Sequence, residues 1–149
     1  MTEKVTMNIS RNFTFAEFEE SPTAKAKGIV NVINTFEIRD SIVALVRDVL
    51  QPLRDIYGKP MKVNSGYRCP ELNAAVGGVA TSQHTKGEAA DIHTGSEAES
   101  YRLAKLAKDA KLTYDQLILY PTFVHISHKL KGEQRQRILY NSSYRGKKF

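Results

Sequence analysis

The sequence predicts an α+β fold from three observations: a long helical pattern in the first third, alternating apolar strands in the last third, and no repeat or linker between them. The expected arrangement is N-terminal helices packed on a small antiparallel sheet. At 149 residues the chain can bury about two-thirds of the surface that its unfolded form exposes, so one domain over residues 1–149 is expected.

The elements follow in order. Thr14 with Glu17 three residues on has the form of a capping box opening a short helix. "SPTAKAKGI" makes a second helical turn closed by Gly28, and the two form a cover. Over residues 36–57, Ile38, Ile42, Leu45, Val46, Val49, Leu50, Leu53 and Ile56 recur at helical spacing. This is the main core helix, kinked at Pro52 and stopped by Gly58. "PMKVNSGYR" is a strand entering a turn, "PELNAAVGG" a short helix with Pro70 in its first turn, and "EAADIH" a buried strand. Ser96 and Glu99 cap a helix whose Leu103, Leu106 and Ala110 face inward. "YDQLILY" and "FVHISH" make a hairpin about Pro121-Thr122, and "RQRILYN" adds a last strand.

Composition narrows the chemistry. A single cysteine, Cys69, excludes an internal disulfide and a Cys-rich zinc finger, which leaves His and carboxylate as metal ligands. The formal charge of +6 suits an acidic polymer. The Lys and Arg are scattered and no aromatic-and-basic stacking motif is present, so nucleic acid is not the expected partner. "YRGKKF" at the C-terminus is expected to be a solvated tail. Residues 1–10 carry no signal-peptide core, and no apolar run reaches the ~18 residues of a membrane span.

Alternation in the late hairpin places Gln116, Ile118, Tyr120, Phe123, His125 and Ser127 on one face. The other face, Leu117, Leu119, Val124 and Ile126, is uniformly apolar and is the core side. His125 therefore points to a cleft. His84 and Asp91 flank Gly87, which permits a turn, and Ala89 and Ala90, which allow close backbone packing. Two imidazoles and one carboxylate are a common ligand set for catalytic zinc, with a fourth position left to water. The same residues also read as a surface histidine and a turn-forming or N-capping aspartate.

"SGYRCPELNAAVGGVATSQHTKGEAADIH" followed by "YDQLILYPTFVHIS" resembles the zinc D-Ala-D-Ala carboxypeptidases and endolysin-like peptidases of the M15 group, close to its short single-domain phage and bacterial branch. The resemblance runs from "SPTAKAKGI" to "FVHIS" and rests most on S-x-H-x-x-x-x-x-x-D with a later His. It implies the hedgehog/DD-peptidase fold, one zinc ion (Zn2+) on His84, Asp91 and His125, and cleavage of peptidoglycan stem peptides. It also implies that Arg68 polarises the scissile carbonyl or holds a substrate carboxylate, and that the Ser82 hydroxyl binds substrate or forms a turn. Tyr67 and Gln116 either line the cleft or serve as packing. His93 and His128 fall outside the ligand set, as a strand residue and a rim residue.

The match breaks at the general base. Members of the family carry Glu or Asp three residues before the final histidine, where Thr122 stands, or a Glu that follows "DQLI" with one residue between, where this chain has Tyr120. Asp115, directed to the core side by the alternation, and Glu88 are the remaining carboxylate candidates. A phenol with an ordinary pKa near ~10 is a poor base at neutral pH, yet it can donate to an oxyanion. Two functions are therefore expected in competition. One is a zinc metallopeptidase of the D,D-carboxypeptidase or endolysin type; the other is a catalytically impaired peptidoglycan-binding module that keeps the fold with or without the zinc. In either case the chain is expected to be a monomer, made in the cytoplasm and acting on the wall after release or delivery.

Overall fold

Side-chain caps start the helices where the sequence places them. In the computed structural model, which describes residues 8–149, a hairpin of β1 (Asn8–Ser10) and β2 (Phe13–Thr14) leads into α1 (Phe15–Glu19). Thr14 and Glu17 close a reciprocal capping box there. The expectation of no signal segment in residues 1–10 lies, for residues 1–7, outside the described residues. Ser21 caps α2 (Pro22–Lys27), which ends at Gly28 in the left-handed conformation. Among the described residues no helix is long and apolar enough to cross a membrane.

The main apolar pattern becomes α3 (Phe36–Leu45), a π-helical turn (Val46–Leu50) and α4 (Gln51–Tyr57) without interruption. Pro52 gives this a physical reason. Proline lacks an N–H and its ring collides with the carbonyl four residues back in α geometry, so a wider turn before it relieves the clash. Ile42, Leu45, Val46, Val49, Leu50 and Leu53 are fully buried, whereas Ile56 falls off the stripe and is exposed.

Five strands form the main sheet: β3 (Val63–Ser65), β4 (Ala89–His93), β5 (Gln116–Leu119), β6 (Phe123–Ser127) and β7 (Arg137–Tyr140), in the order β3-β4-β6-β5-β7. The Tyr120 N–H donates to the Phe123 carbonyl at 2.9 Å, which makes Pro121-Thr122 a two-residue turn and sets Ile118 opposite His125. Leu117, Leu119, Val124 and Ile126 are then fully buried, each contributing about 1.5–3 kcal/mol. A one-residue slip would expose all four, so burial locks the register. Helix α5 (Pro70–Ala75) precedes β4, and α6 (Glu97–Asp109), capped by Ser96, packs its Leu103, Ala104 and Ala107 into the same core.

The structure corrects three further expectations about the elements. Ala110 does not face inward: α6 has ended at Asp109, and Ala104 and Ala107 take the buried positions instead. The last strand, β7, runs parallel to β5, so the sheet is antiparallel except at that edge. The C-terminal segment is docked rather than solvated. Tyr144 is buried, the Phe149 ring stacks on Tyr101 with centroids 4.5 Å apart, and the Phe149 N–H donates to the Tyr140 hydroxyl.

Asp115 explains the direction of β7. Its fully buried carboxylate accepts from the Arg135 backbone N–H at 2.7 Å and from the Arg135 guanidinium Nη2 at 2.7 Å, while its carbonyl accepts the Arg137 N–H. Residues 128–136 are thereby turned around the head of β5, and β7 enters alongside it. Burial opposes the charge on Asp115, but the hydrogen bonds and charge of Arg135, with Lys129, hold the carboxyl below its ordinary range. A depressed folded-state pKa stabilises above the unfolded value of about 3.9, and that stability is lost as pH falls through the folded value. Asp115→Asn is therefore expected to cost roughly 2–3 kcal/mol at neutral pH. Urea denaturation should show the deficit shrinking as pH drops below about 4; a deficit of constant size would remove the ion pair as its cause.

Candidate metal centre

The alternation that buries Leu117 and Ile126 sends the intervening residues to the opposite face. Successive register partners form one row across all five strands: Ser65, Asp91, His125, Ile118 and Leu139. The metal-ligand candidates Asp91 and His125 are thus cross-strand neighbours, and the His125 Nδ1 lies 2.9 Å from the Asp91 Oδ1.

His84 reaches the same point from a 3₁₀ turn (Gln83–Lys86). Ser82 caps this turn, its Oγ accepting the His84 N–H at 3.2 Å. Gly87 closes it at φ 73°, a conformation that L side chains rarely adopt, and a Cβ there would sit 2.7 Å from the Ile38 carbonyl oxygen. Both facts require glycine. The His84 ring is buried, with Nδ1 2.7 Å from the Gly66 carbonyl and Nε2 3.3 Å from the same Asp91 Oδ1. A carbonyl can only accept, so Nδ1 carries the proton, and a ring that binds a cation turns the Nε2 lone pair toward the carboxylate side. Two lone pairs at that separation repel unless a cation lies between them, and this donor set fits a divalent ion in that place. One ligand atom from each of His84, Asp91 and His125 falls within 4.8 Å of the other two.

Charge reinforces the convergence. Burial by itself would push the Asp91 carboxyl up, but the neighbouring His125 and His84 rings outweigh it and hold the group well below the usual carboxylate range. The Arg68 Nη2 stands 3.6 Å from the Asp91 Oδ2. Its guanidinium is fixed from two further sides: Nε donates to the Ser65 Oγ at 3.0 Å and Nη1 to the Asn73 Oδ1 at 3.2 Å. Burial lowers the Arg68 pKa, with Asp91 opposing, yet an arginine remains charged at any physiological pH.

Tyr120 shares this face, with its ring stacked on Phe123 at 4.1 Å between centroids. Burial first, then the charge of Asp91, pushes its phenol upward, while Arg68 and a hydrogen bond with Asn141 act the other way. Gln116 is half-buried two positions along β5 from Ile118. Tyr67 lies within the hydrophobic core, 3% exposed, with its carbonyl accepting from the Asn31 side chain. Asp115 is engaged by Arg135, as described, and the Glu88 carboxylate accepts from the Gln83 side chain and the Leu130 N–H. His93 ends β4 exposed. His128 departs from its expected place on the rim: it is buried, with Nε2 3.4 Å from the Asp48 Oδ2 and its N–H donating to the Glu88 carbonyl at 2.9 Å.

Sequence reasoning missed Gly66, Ser65 and Asn73, which orient His84 and Arg68. Ser65 and Gly66 act through contacts that no periodicity encodes. Asn73 left a faint signal as the one amide in the short helix after Pro70.

Residues 11–127 match the family model described as Peptidase M15. The chain belongs to the peptidase M15 family. Every residue of the converging set lies inside the matched span, and β7 lies beyond it. The zinc D-Ala-D-Ala carboxypeptidase of Streptomyces albus G is 34% identical over 125 residues, which cover 83% of this M15 chain and 47% of that relative. The chain thus spans about half the length of the relative it matches.

The geometry generates a metal-binding expectation. Zinc titration of the purified M15 domain should give about one ion per chain, lost on His84→Ala, Asp91→Ala or His125→Ala and retained in His93→Ala and His128→Ala. Elemental analysis that found folded, zinc-loaded protein without metal would overturn it.

Proposed function

We propose that this M15 chain is a zinc-dependent peptidase that cleaves peptide bonds in peptidoglycan stem peptides, as a D,D-carboxypeptidase or in the manner of an endolysin. The observation that carries the reading is the convergence of His84 and His125 on one oxygen of Asp91 beside an immobilised arginine. Membership of a peptidase family, and a relative named a zinc D-Ala-D-Ala carboxypeptidase, support the substrate class. His84, Asp91 and His125 would hold one zinc ion, which supplies Lewis-acid polarisation of a carbonyl and a water made nucleophilic near neutral pH.

The chain's own residues supply the rest. Gly66 fixes the proton of His84 on Nδ1 and so keeps Nε2 available. Arg68, held by Ser65 and Asn73, offers donors in a fixed fork to the scissile carbonyl or to a substrate carboxylate. Tyr120 remains protonated at neutral pH and acts as a donor to the oxyanion rather than as a base. Ser82 contributes mainly by capping the turn that carries His84, and Gln116 lines the cleft beyond Ile118. The domain works as a monomer, is made in the cytoplasm, and meets the wall after release or delivery.

A second reading has its own support. With Asp115 locked to Arg135, Glu88 turned to Gln83 and a phenol at position 120, among the described residues no carboxylate other than Asp91 is left to take a proton in the cleft. A wall-binding module that has lost turnover fits that arrangement.

Cleavage of synthetic stem peptides, read by mass spectrometry at matched zinc content, separates the two. Arg68→Lys should keep the metal while losing about 10–100-fold in kcat/KM, because a point-charge ammonium cannot reproduce a bidentate contact; unchanged activity would take Arg68 out of the reaction. Tyr120→Glu should add a carboxylate where the family carries one and raise hydrolysis by about 10²–10⁴. Tyr120→Phe should slow it if the phenol donates. A wild type that retains zinc and binds wall fragments but releases no product would establish the binding module.

A further inference from the structure

The row of residues through Asp91 and His125 does not end at the metal-ligand candidates. It continues across β5 and β7 as Ile118 and Leu139, the latter 40% exposed on the cleft face, while Ile138 and Tyr140 pack against the core. One register step away Gln116 lies beside Arg137, and one step the other way Tyr120 lies near Asn141. The cleft face therefore has an apolar floor two strands wide, with polar side chains along both margins. Arg137 is exposed, and among the described residues no carboxylate pairs with it. The floor's outer strand lies outside the matched family span of residues 11–127.

Resting on the peptidase reading above, we infer that β5 and β7 form a substrate subsite for an acidic peptide, in which Arg137, assisted by Gln116, pairs with a free carboxylate while Ile118 and Leu139 support small apolar side chains. Charge complementarity selects the occupant. The face carries Arg68 at the metal end and Arg137 at the edge, so it suits a peptide with two carboxylates set apart. Strands lie about 4.8 Å apart, which puts Leu139 about 10 Å from His125; an extended peptide advances about 3.3 Å per residue, so it spans that gap in about three residues. Arg137 lies two residues, about 7 Å, further along β7 and so about 12 Å diagonally from His125, which places the carboxylate it recognises about three to four residues from the bond that is cut.

The test uses peptides ending in D-Ala-D-Ala that carry a single Glu, or Gln in its place, at one of the three preceding positions. Calorimetric binding and KM are measured on the zinc-loaded full chain. The wild type is expected to prefer the Glu peptide over its Gln partner by about three- to tenfold at the position farthest from the terminus, with the preference falling in high salt. Arg137→Gln should bring that ratio to about one, Arg137→Lys should retain part of it, and Lys108→Gln, on α6 behind the core, should keep it whole. Because Arg137 is exposed, these changes leave the core untouched. Selective binding without any cleavage would sink the peptidase reading and keep the subsite. Cleavage with equal affinity for Glu and Gln peptides, or a preference that survives Arg137→Gln, would sink the subsite and keep the peptidase.

Discussion

The pairing of Asp91 with His125 across β4 and β6 is the constraint on which the remaining architecture depends. It exists because Ala90 and Ile92 on one strand, and Val124 and Ile126 on the next, are buried on the opposite face. Alternation then leaves the carboxylate and the imidazole no choice of side. The core thus aims the site: the apolar residues of the sheet place the polar ones, and α6 with the long helix of residues 36–57 seals the apolar side.

The His84 ring that faces the shared carboxylate oxygen is held from behind. Gly66 holds His84 by its carbonyl, and α1 packs so closely on Gly66 that a Cβ there would lie 2.7 Å from Phe18. The N-terminal cover therefore acts on the site through one backbone oxygen. Arg68 is similarly immobilised, because Asn73 receives its guanidinium and in turn donates to the Val79 carbonyl at 2.8 Å. Such preorganisation matters for electrostatic catalysis, where donors that need no reorientation are worth more than mobile ones.

The carboxylates around the converging set are each engaged in the structure. Asp91 belongs to the converging set, Asp115 anchors the segment that brings β7 to the sheet, and Glu88 organises the loop around Gln83 and Leu130. The Tyr120 phenol lies on the same face as the converging set. Its environment favours the neutral form, which suits hydrogen-bond donation. The edge strand that Asp115 recruits also widens the cleft floor, so the structural acid shapes the surface on which a substrate would lie.

Much was legible in the sequence alone because it depends on local chemistry. Capping at Thr14 and Ser96 is decided within four residues, the hairpin register follows from period-two burial about Pro121-Thr122, and the side on which His125 emerges follows from that register. The identities of His84, Asp91 and Arg68 as candidates came from their spacing and from resemblance to a family. Tertiary structure decided what spacing cannot encode. The direction of β7 depends on an ion pair between Asp115 and Arg135, 20 positions apart, and the tautomer of His84 on a carbonyl 18 positions away. The docking of the C-terminal tail depends on Phe149 meeting Tyr101. Burial patterns repeat along a chain and can be read from it, whereas single contacts between distant residues carry no period and exist only once the chain has closed on itself.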